Sequence, residues 1–256
     1  MTTLHTIILS IIEGITEFLP ISSTGHMILA GEVLGIPSTS FTKSFEIIIQ
    51  LGSILAVVVL YIKTLFKSFD LMKKTFVAFL PTAVLGLLFY KIIKTYLLGN
   101  VWVVIASLFI GGLVIIWFEK KLAKNPQLDE SPLTYKKAFI IGLAQSVAMI
   151  PGVSRSAATI VGGQLLGLSR RQIVEFSFIL AIPTMAAATF LDVYKNYQLF
   201  TSADISQLAI GLVVSFVVAL LAIKTFLKYI QKNNLTYFGW YRIVLAIISI
   251  IVFIKL

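Results

Sequence analysis

The stretch Glu13-Gly14-Ile15-Thr16-Glu17-Phe18-Leu19-Pro20-Ile21-Ser22-Ser23-Thr24-Gly25-His26 interrupts an otherwise apolar segment, residues 4–36. A segment of that length would suit one membrane helix, but this one cannot cross as such. Each charge held at mid-membrane costs roughly 2.5–3.5 kcal/mol on insertion scales, and Pro20 with the following hydroxyls breaks the helix. The segment reads as two half-length helices joined by a polar turn. Non-helical backbone at membrane depth survives only where protein or a water-filled cavity satisfies it, so a re-entrant hairpin is expected. Residues 138–168 repeat the pattern, with Gln145, Pro151, Gly152, Ser154, Arg155, Ser156, Gly162 and Gly163 breaking a second apolar segment.

Outward from each hairpin lie three uninterrupted apolar segments, at 45–62, 76–90 and 101–118, and at 173–191, 207–223 and 242–256. The 76–90 and 242–256 segments are short for a span of about 20 residues, so tilt or unread ends are expected. At an offset of 132, Ser22 falls on Ser154, Ile28 on Ile160, Gly31 on Gly163, Leu34 on Leu166 and Gly35 on Gly167. A hairpin followed by three crossings makes each unit odd-numbered, which inverts the second relative to the first. The expected fold is therefore all-α. It is a polytopic membrane protein with six transmembrane helices plus two re-entrant helical hairpins arranged as inverted repeats. One membrane domain, 1–256, divides into repeat one (1–118) and repeat two (138–256).

Composition agrees. Hydrophobic residues make up 58% of the 256, and charged ones only 12%, half the share of an average soluble domain. Zero Cys excludes disulfides, thiolate metal sites and cysteine nucleophiles. The net charge of +10 is read as positive loops on the cytoplasmic face rather than as a nucleic-acid surface. With the N-terminus outside, the outer loops and C-terminus hold Lys43, Lys91, Lys94, Lys195 and Lys255. Arg155 sits in the second hairpin, and the other fifteen of the 21 Lys and Arg, Arg242 among them, lie inside. No Lys or Arg precedes the run Ile7–Ile12, which ends at Glu13, so no cleavable signal peptide is expected.

The polar groups of the two turns carry the chemistry. Glu13 and Glu17, four apart, share a helix face and suit a metal site, acid–base work or the orientation of His26. A Glu–His–Ser arrangement would let the imidazole activate a hydroxyl or water. In the second turn Arg155 cannot be neutralised, and its planar fork fits phosphate oxygens. Ser154, Ser156 and Thr159 add hydroxyls, and the helix that starts there adds free N–H groups. Glu46, Gln50 and Gln145 are expected to support the site from behind. Glu175, near Arg170 and Arg171, is read as structural.

These two turns resemble the signatures of the bacterial undecaprenyl-diphosphate phosphatases associated with bacitracin resistance. The first is the Glu13–His26 stretch; the second is Pro151-Gly152-Val153-Ser154-Arg155-Ser156-Ala157-Ala158-Thr159. Phe45-Glu46 through Gln50-Leu51-Gly52-Ser53 and Glu175-Phe176-Ser177-Phe178 are similar too. Ala157 stands where Gly is frequent in that family, and the loop at 119–137 is short for it. The resemblance implies removal of the terminal phosphate from undecaprenyl diphosphate, which recycles the lipid carrier for cell-wall synthesis and confers bacitracin resistance. It implies Glu13, Glu17, Ser23, His26 and Arg155 as catalytic residues, with the nucleophile open between Ser23, His26 and water. Phosphate binding falls to Ser22, Thr24, Ser154, Arg155, Ser156 and Thr159. A divalent cation, Mg²⁺ or Ca²⁺, would sit on Glu13 and Glu17. The implied location is the bacterial plasma (inner) membrane, multi-pass, with the active site facing the extracytoplasmic side. The partners are the polyprenyl diphosphate and the bilayer, with room for a homodimer and none for nucleic acid.

Two rivals are weaker. The type 2 phosphatidic acid phosphatases need a second His shortly after their Ser-Arg element, and no His follows Arg155. A transporter or flippase for an anionic lipid or small anion shares the architecture but does not need Glu13, Glu17 and His26 together. The charge count predicts the orientation: single cysteines at 70, 127 and 233 will resist impermeant thiol reagents applied to intact cells. Labelling there would reverse the topology.

Overall fold

The computed structural model describes residues 1–124 and 131–255. Residues 125–130, which include labelling position 127, and Leu256, the end of the last predicted span, lie outside the described residues. Every regular element among the described residues is helical.

The first broken segment forms α1 (Thr3–Thr16) and α2 (Ser23–Val33); the second forms α7 (Tyr135–Ser146) and α8 (Arg155–Leu165). At 1.5 Å per residue, the longest of these, with 14 residues, is about 21 Å long. None alone crosses a core of roughly 30 Å. A 3₁₀ turn at Val147–Met149 follows α7. Both second helices start and stop by the same backbone devices. Ser22 (φ 71) and Ser154 (φ 77) are the only non-glycine residues at positive φ among the described residues. That conformation stops any helix from running through. Each serine then caps the helix behind it, accepting from the N–H of Gly25 at 3.3 Å and of Ala157 at 3.2 Å. At the far ends Gly35 (φ 64) and Gly167 (φ 81) close both helices. Ile36 N–H donates to Gly31 O at 2.8 Å, and Leu168 N–H donates to Gly163 O at 3.1 Å. Two of these positions, Ser22 and Gly35, are among the identities seen at the 132 offset, and backbone geometry accounts for both.

Between the hairpins run α3 (Ser40–Ile48), α4 (Gln50–Lys67), α5 (Phe69–Ile92) and α6 (Val101–Lys124), with a π-helical turn at Ile93–Leu97. After the second hairpin come α9 (Arg170–Asn196), a 3₁₀ turn at Tyr197–Leu199, α10 (Ser202–Ile230) and α11 (Thr236–Lys255). Six helices, with α3 and α4 taken as one, are long and apolar enough to cross a membrane. Nearly all overrun the predicted spans, because helices continue past the hydrocarbon into the interface, where Lys, Tyr and Trp break the apolar run. The two segments read as short are whole spans of 24 and 20 residues. Pro81 sits inside α5, and Trp240, Tyr241 and Arg242 mask the start of α11. Arg242, counted with the inner loops, is fully buried, which leaves the bias at fourteen to five.

Packing interleaves the two halves of the chain. The leading hairpin helix α1 lies on α10, and α7 lies on α5. Likewise α4 packs on α10 and α5 on α9, while the corresponding pairs α6–α11 and α4–α9 pack on each other. The turn of the first hairpin is anchored by Phe18, whose ring meets Phe178 edge-on at 5.0 Å; Phe178 in turn meets Phe226 at 6.2 Å. Phe66, Leu87, Leu88 and Ile254 stand exposed on the outer faces, as a lipid-facing surface requires.

Two glycines separate conformational from steric cost. No atom lies within 4 Å of a β-carbon added at Gly35, so only its φ of 64 opposes one, at about 1–2 kcal/mol. A β-carbon at Gly142 would strike the Ala78 carbonyl, backbone against backbone, and part α7 from α5. Gly142→Ala should therefore lower the thermal midpoint in detergent clearly more than Gly35→Ala.

Candidate active site

The two hairpin turns meet. Ser156 Oγ donates to Phe18 O at 2.9 Å, and Ser154 Oγ reaches Leu19 O at 3.5 Å. Because Ser22 and Ser154 end their turns, α2 and α8 both begin at this junction, with first-turn N–H groups that no carbonyl of their own helix can accept. A cavity of about 200 Å³ opens there. Its polar lining includes Glu17, Ser22, Ser23, Thr24, Gln50, Gln145, Ser154 and Arg155.

Glu17 is the centre of the polar network. The Ser23 hydroxyl donates to Glu17 Oε2 in a short hydrogen bond. Arg155 Nη2 lies 3.4 Å from Glu17 Oε1, and Arg155 Nη1 donates to Ser177 O at 2.6 Å. Thr159 Oγ1 and Ser177 Oγ are 2.7 Å apart, so the Arg155 helix is tied to α9. The guanidinium sits 5.6 Å from the centre of the Phe18 ring. Arg155 Nε has no hydrogen-bond partner, which leaves a charged donor for an anion.

The predicted residues do not all converge. Glu17, Ser22, Ser23, Thr24, Gln50, Gln145, Ser154 and Arg155 line the cavity; Ser156 and Thr159 instead brace the second turn from behind. His26 does not line it. His26 Nδ1 is 2.7 Å from Ser22 O and Nε2 is 2.8 Å from Tyr241 Oη, with the two rings stacked. The expected Glu–His–Ser relay is therefore not formed: Ser23 reaches Glu17 directly, because the capped turn places Ser23 on the carboxylate side and His26 on the α11 side. Glu46 lines a separate, smaller cavity with Lys43 and Thr42. Glu175 pairs with Arg171 at 2.9 Å, the structural role expected.

Glu13 is fully buried. Neither of its oxygens makes a hydrogen bond of regular geometry, although Ser23, Ser53 and Glu17 lie beside it. An orphaned carboxylate next to a second one fits a hard cation. Among the described residues no cluster of three or more His, Asp or Glu forms a cage. That suits Mg²⁺, which usually takes one or two carboxylates and shares the rest of its sphere with water and phosphate.

Several working residues escaped the sequence reading. Ser177 is an uncharged residue inside a long span, and Thr82 and Thr184, which receive the Gln145 amide at 2.8 and 3.2 Å, carry no motif. Arg242 is the largest omission. Nη1 donates to Pro20 O at 3.1 Å and Val153 O at 2.9 Å; Nη2 donates to Ser107 O at 3.0 Å and Gly152 O at 2.8 Å; Nε reaches Leu108 O at 3.4 Å. Five donors meet five carbonyls, from both hairpin turns and α6. Gly111 makes room, since a β-carbon there would collide with the guanidinium. The one available signal was an arginine at the edge of an apolar segment, and its charge suggested a loop.

The family model described as bacitracin resistance protein BacA matches residues 6–248. An undecaprenyl-diphosphatase of Sulfurihydrogenibium sp. (strain YO3AOP1) is 53% identical over 97% of this chain and 98% of its own. Those of Aquifex aeolicus (strain VF5) and Persephonella marina (strain DSM 14350 / EX-H1) are 49% and 50% identical. The first covers 97% of both chains, the second 98% of this chain and 99% of its own.

Lysine has three donors on a flexible stem and cannot serve five carbonyls, and each buried carbonyl left unpaired costs about 1–3 kcal/mol. Arg242→Lys should lower the unfolding midpoint in detergent by several degrees, while Arg171→Lys, on the exposed surface, should barely move it.

Proposed function

Because the chain belongs to the family of the bacitracin resistance protein BacA, we propose that it hydrolyses undecaprenyl diphosphate to undecaprenyl phosphate and inorganic phosphate. The observation that carries the reading is the contact of Ser23 with Glu17 and of Glu17 with Arg155, one group from each hairpin turn and a carboxylate between them. The reaction returns the lipid carrier to cell-wall synthesis and underlies bacitracin resistance.

The terminal phosphate sits against the first turns of α2 and α8, where N–H groups and helix dipoles favour an anion. Arg155 grips its oxygens with the donors not used on Ser177. Ser23 Oγ attacks the terminal phosphorus as its proton passes to Glu17; the anhydride bond breaks, and Glu17 hands that proton to the departing oxygen of undecaprenyl phosphate. Water then attacks the phosphoserine and gives one proton to Glu17, which returns it to the serine oxygen as the serine–phosphorus bond breaks, and inorganic phosphate leaves with the other hydrogen. Ser23 is favoured over His26 as nucleophile because its hydroxyl already donates to a base, whereas both His26 nitrogens are engaged away from the cavity. His26 instead holds the Ser22 carbonyl and so the angle of the Ser23 turn.

Glu13 and Glu17 would hold a divalent cation, Mg²⁺ or Ca²⁺, whose charge would offset that of the diphosphate. The exchanged packing of α1 on α10 and α7 on α5, with three spans in each repeat, supports inverted repeats whose hairpins dip from opposite faces. The fourteen-to-five charge bias supports a cavity open to the extracytoplasmic side of the plasma (inner) membrane. An anion carrier would use Arg155 but has no need for a hydroxyl pointed at a carboxylate.

Purified protein should release phosphate from undecaprenyl diphosphate. Arg155→Lys keeps the charge but not the fork and should turn over at least about a hundredfold more slowly; Ser23→Ala should be at least as slow. Near-normal hydrolysis by both would remove this site, and full activity in excess chelator would remove the cation. His26→Asn places an amide N–H where Nδ1 stood, so it should keep distinctly more activity than His26→Ala. Equal losses would return His26 to proton transfer.

A further inference from the structure

We infer that the polyprenyl chain leaves the active-site cavity through a side portal between the π-helical turn at Ile93–Leu97 and the 3₁₀ turn at Val147–Met149, with Ile93, Leu98, Met149, Ile150 and Met185 as the residues that recognise its first isoprene units. The inference rests on the phosphatase reading for the identity of the lipid.

The cavity volume requires such an exit. Pockets that enclose a drug-sized molecule run roughly 300–1,000 Å³, and this cavity is about 200 Å³. It holds a diphosphate and little more. The lining is also divided by chemistry. The hairpin turns contribute the hydroxyls and charges, while Ile93, Leu98, Met149, Ile150 and Met185 are apolar. Those five come from the end of α5, the end of α7 and the middle of α9, three elements in which α5 packs on both of the others.

The π turn explains how two of them face inward together. In an α-helix, residues five apart point about 140° away from each other. Leu98 N–H donates to Ile93 O at 2.9 Å, the five-residue bond of a π turn, which brings positions 93 and 98 onto one face. Here the π turn at the end of α5 gives two apolar walls from a single element. Met149 closes the other side: its Cε lies 3.8 Å from where a β-carbon on Gly86 would stand, so its thioether rests beside α5. Met149 and Met185 carry unbranched thioethers that adapt to a ligand's shape.

The opening leads to lipid. Ile150 both lines the cavity and is 38% exposed. The outward faces of the same two turns carry exposed Ile92, Tyr96 and Val147, so a chain passing out between them stays in apolar surroundings.

A photoreactive benzophenone side chain at position 93 or 150 should form an adduct with undecaprenyl diphosphate that excess unlabelled lipid diphosphate suppresses; the same group at the exposed Phe66, on α4, should not. Adducts at 66 equal to those at 93 and 150, or none at 93 and 150, would overturn the portal. This readout does not need hydrolysis, so a wild-type protein that binds the lipid without releasing phosphate would refute the phosphatase and leave the portal standing. Kinetics give a second test. In Ile93→Trp, and in a chain with Thr95 deleted so that the π turn returns to α-helical register, the ratio of kcat/KM for undecaprenyl over farnesyl diphosphate should fall about tenfold or more. An unchanged ratio in both would also count against it.

Discussion

Arg242 is buried in the middle of the protein without a carboxylate partner, and the site depends on how its charge is satisfied. A guanidinium has five donors in a fixed plane, and here each finds a backbone carbonyl, two of them from the second hairpin turn, one from the first and two from α6. Turn carbonyls have no partner within a helix, so the arginine and the turns satisfy each other. Neither would be tolerated alone in an apolar interior. The preceding residue, Tyr241, holds His26 from the same helix. One span therefore sets the height and the angle of both turns.

That arrangement makes the cavity possible. Two helices begin side by side only because Ser22 and Ser154 take a conformation that interrupts each chain. The interruption costs backbone strain, which the caps, the cross-turn bonds from Ser154 and Ser156, and Arg242 offset. The result is two helix N-termini side by side with one charged donor, opposed by the carboxylates of the first hairpin. The site draws on both halves of the chain, as the packing does: α1 lies on α10 and α7 lies on α5.

Much of this was legible in the chain. The broken apolar segments and the positions of Ser22 and Gly35 at the 132 offset follow from local rules: hydropathy, helix breaking and the φ that glycine and capping serine adopt. Glu17, Ser23 and Arg155 were legible as well, since charges and hydroxyls inside an apolar segment need a reason. The reading failed where it inferred pairing. His26 was joined to the carboxylates because hairpin geometry brings the arms of the chain together, but the cap at Ser22 rotates it towards α11. Arg242 was sent to a loop because an arginine beside an apolar run usually lies there.

The amino-acid sequence by itself determined that the protein is helical, that six segments are long and apolar enough to cross a membrane, and that two others hold polar groups within apolar stretches. Each of these follows from residues near one another in the chain. Only the tertiary structure decided which polar group answers which: Ser23 to Glu17, Arg155 to Ser177, and Arg242 to carbonyls as far away in the chain as Pro20. In a medium without water every buried donor must find an acceptor. Which acceptor it finds depends on how the helices pack, and no single segment specifies that.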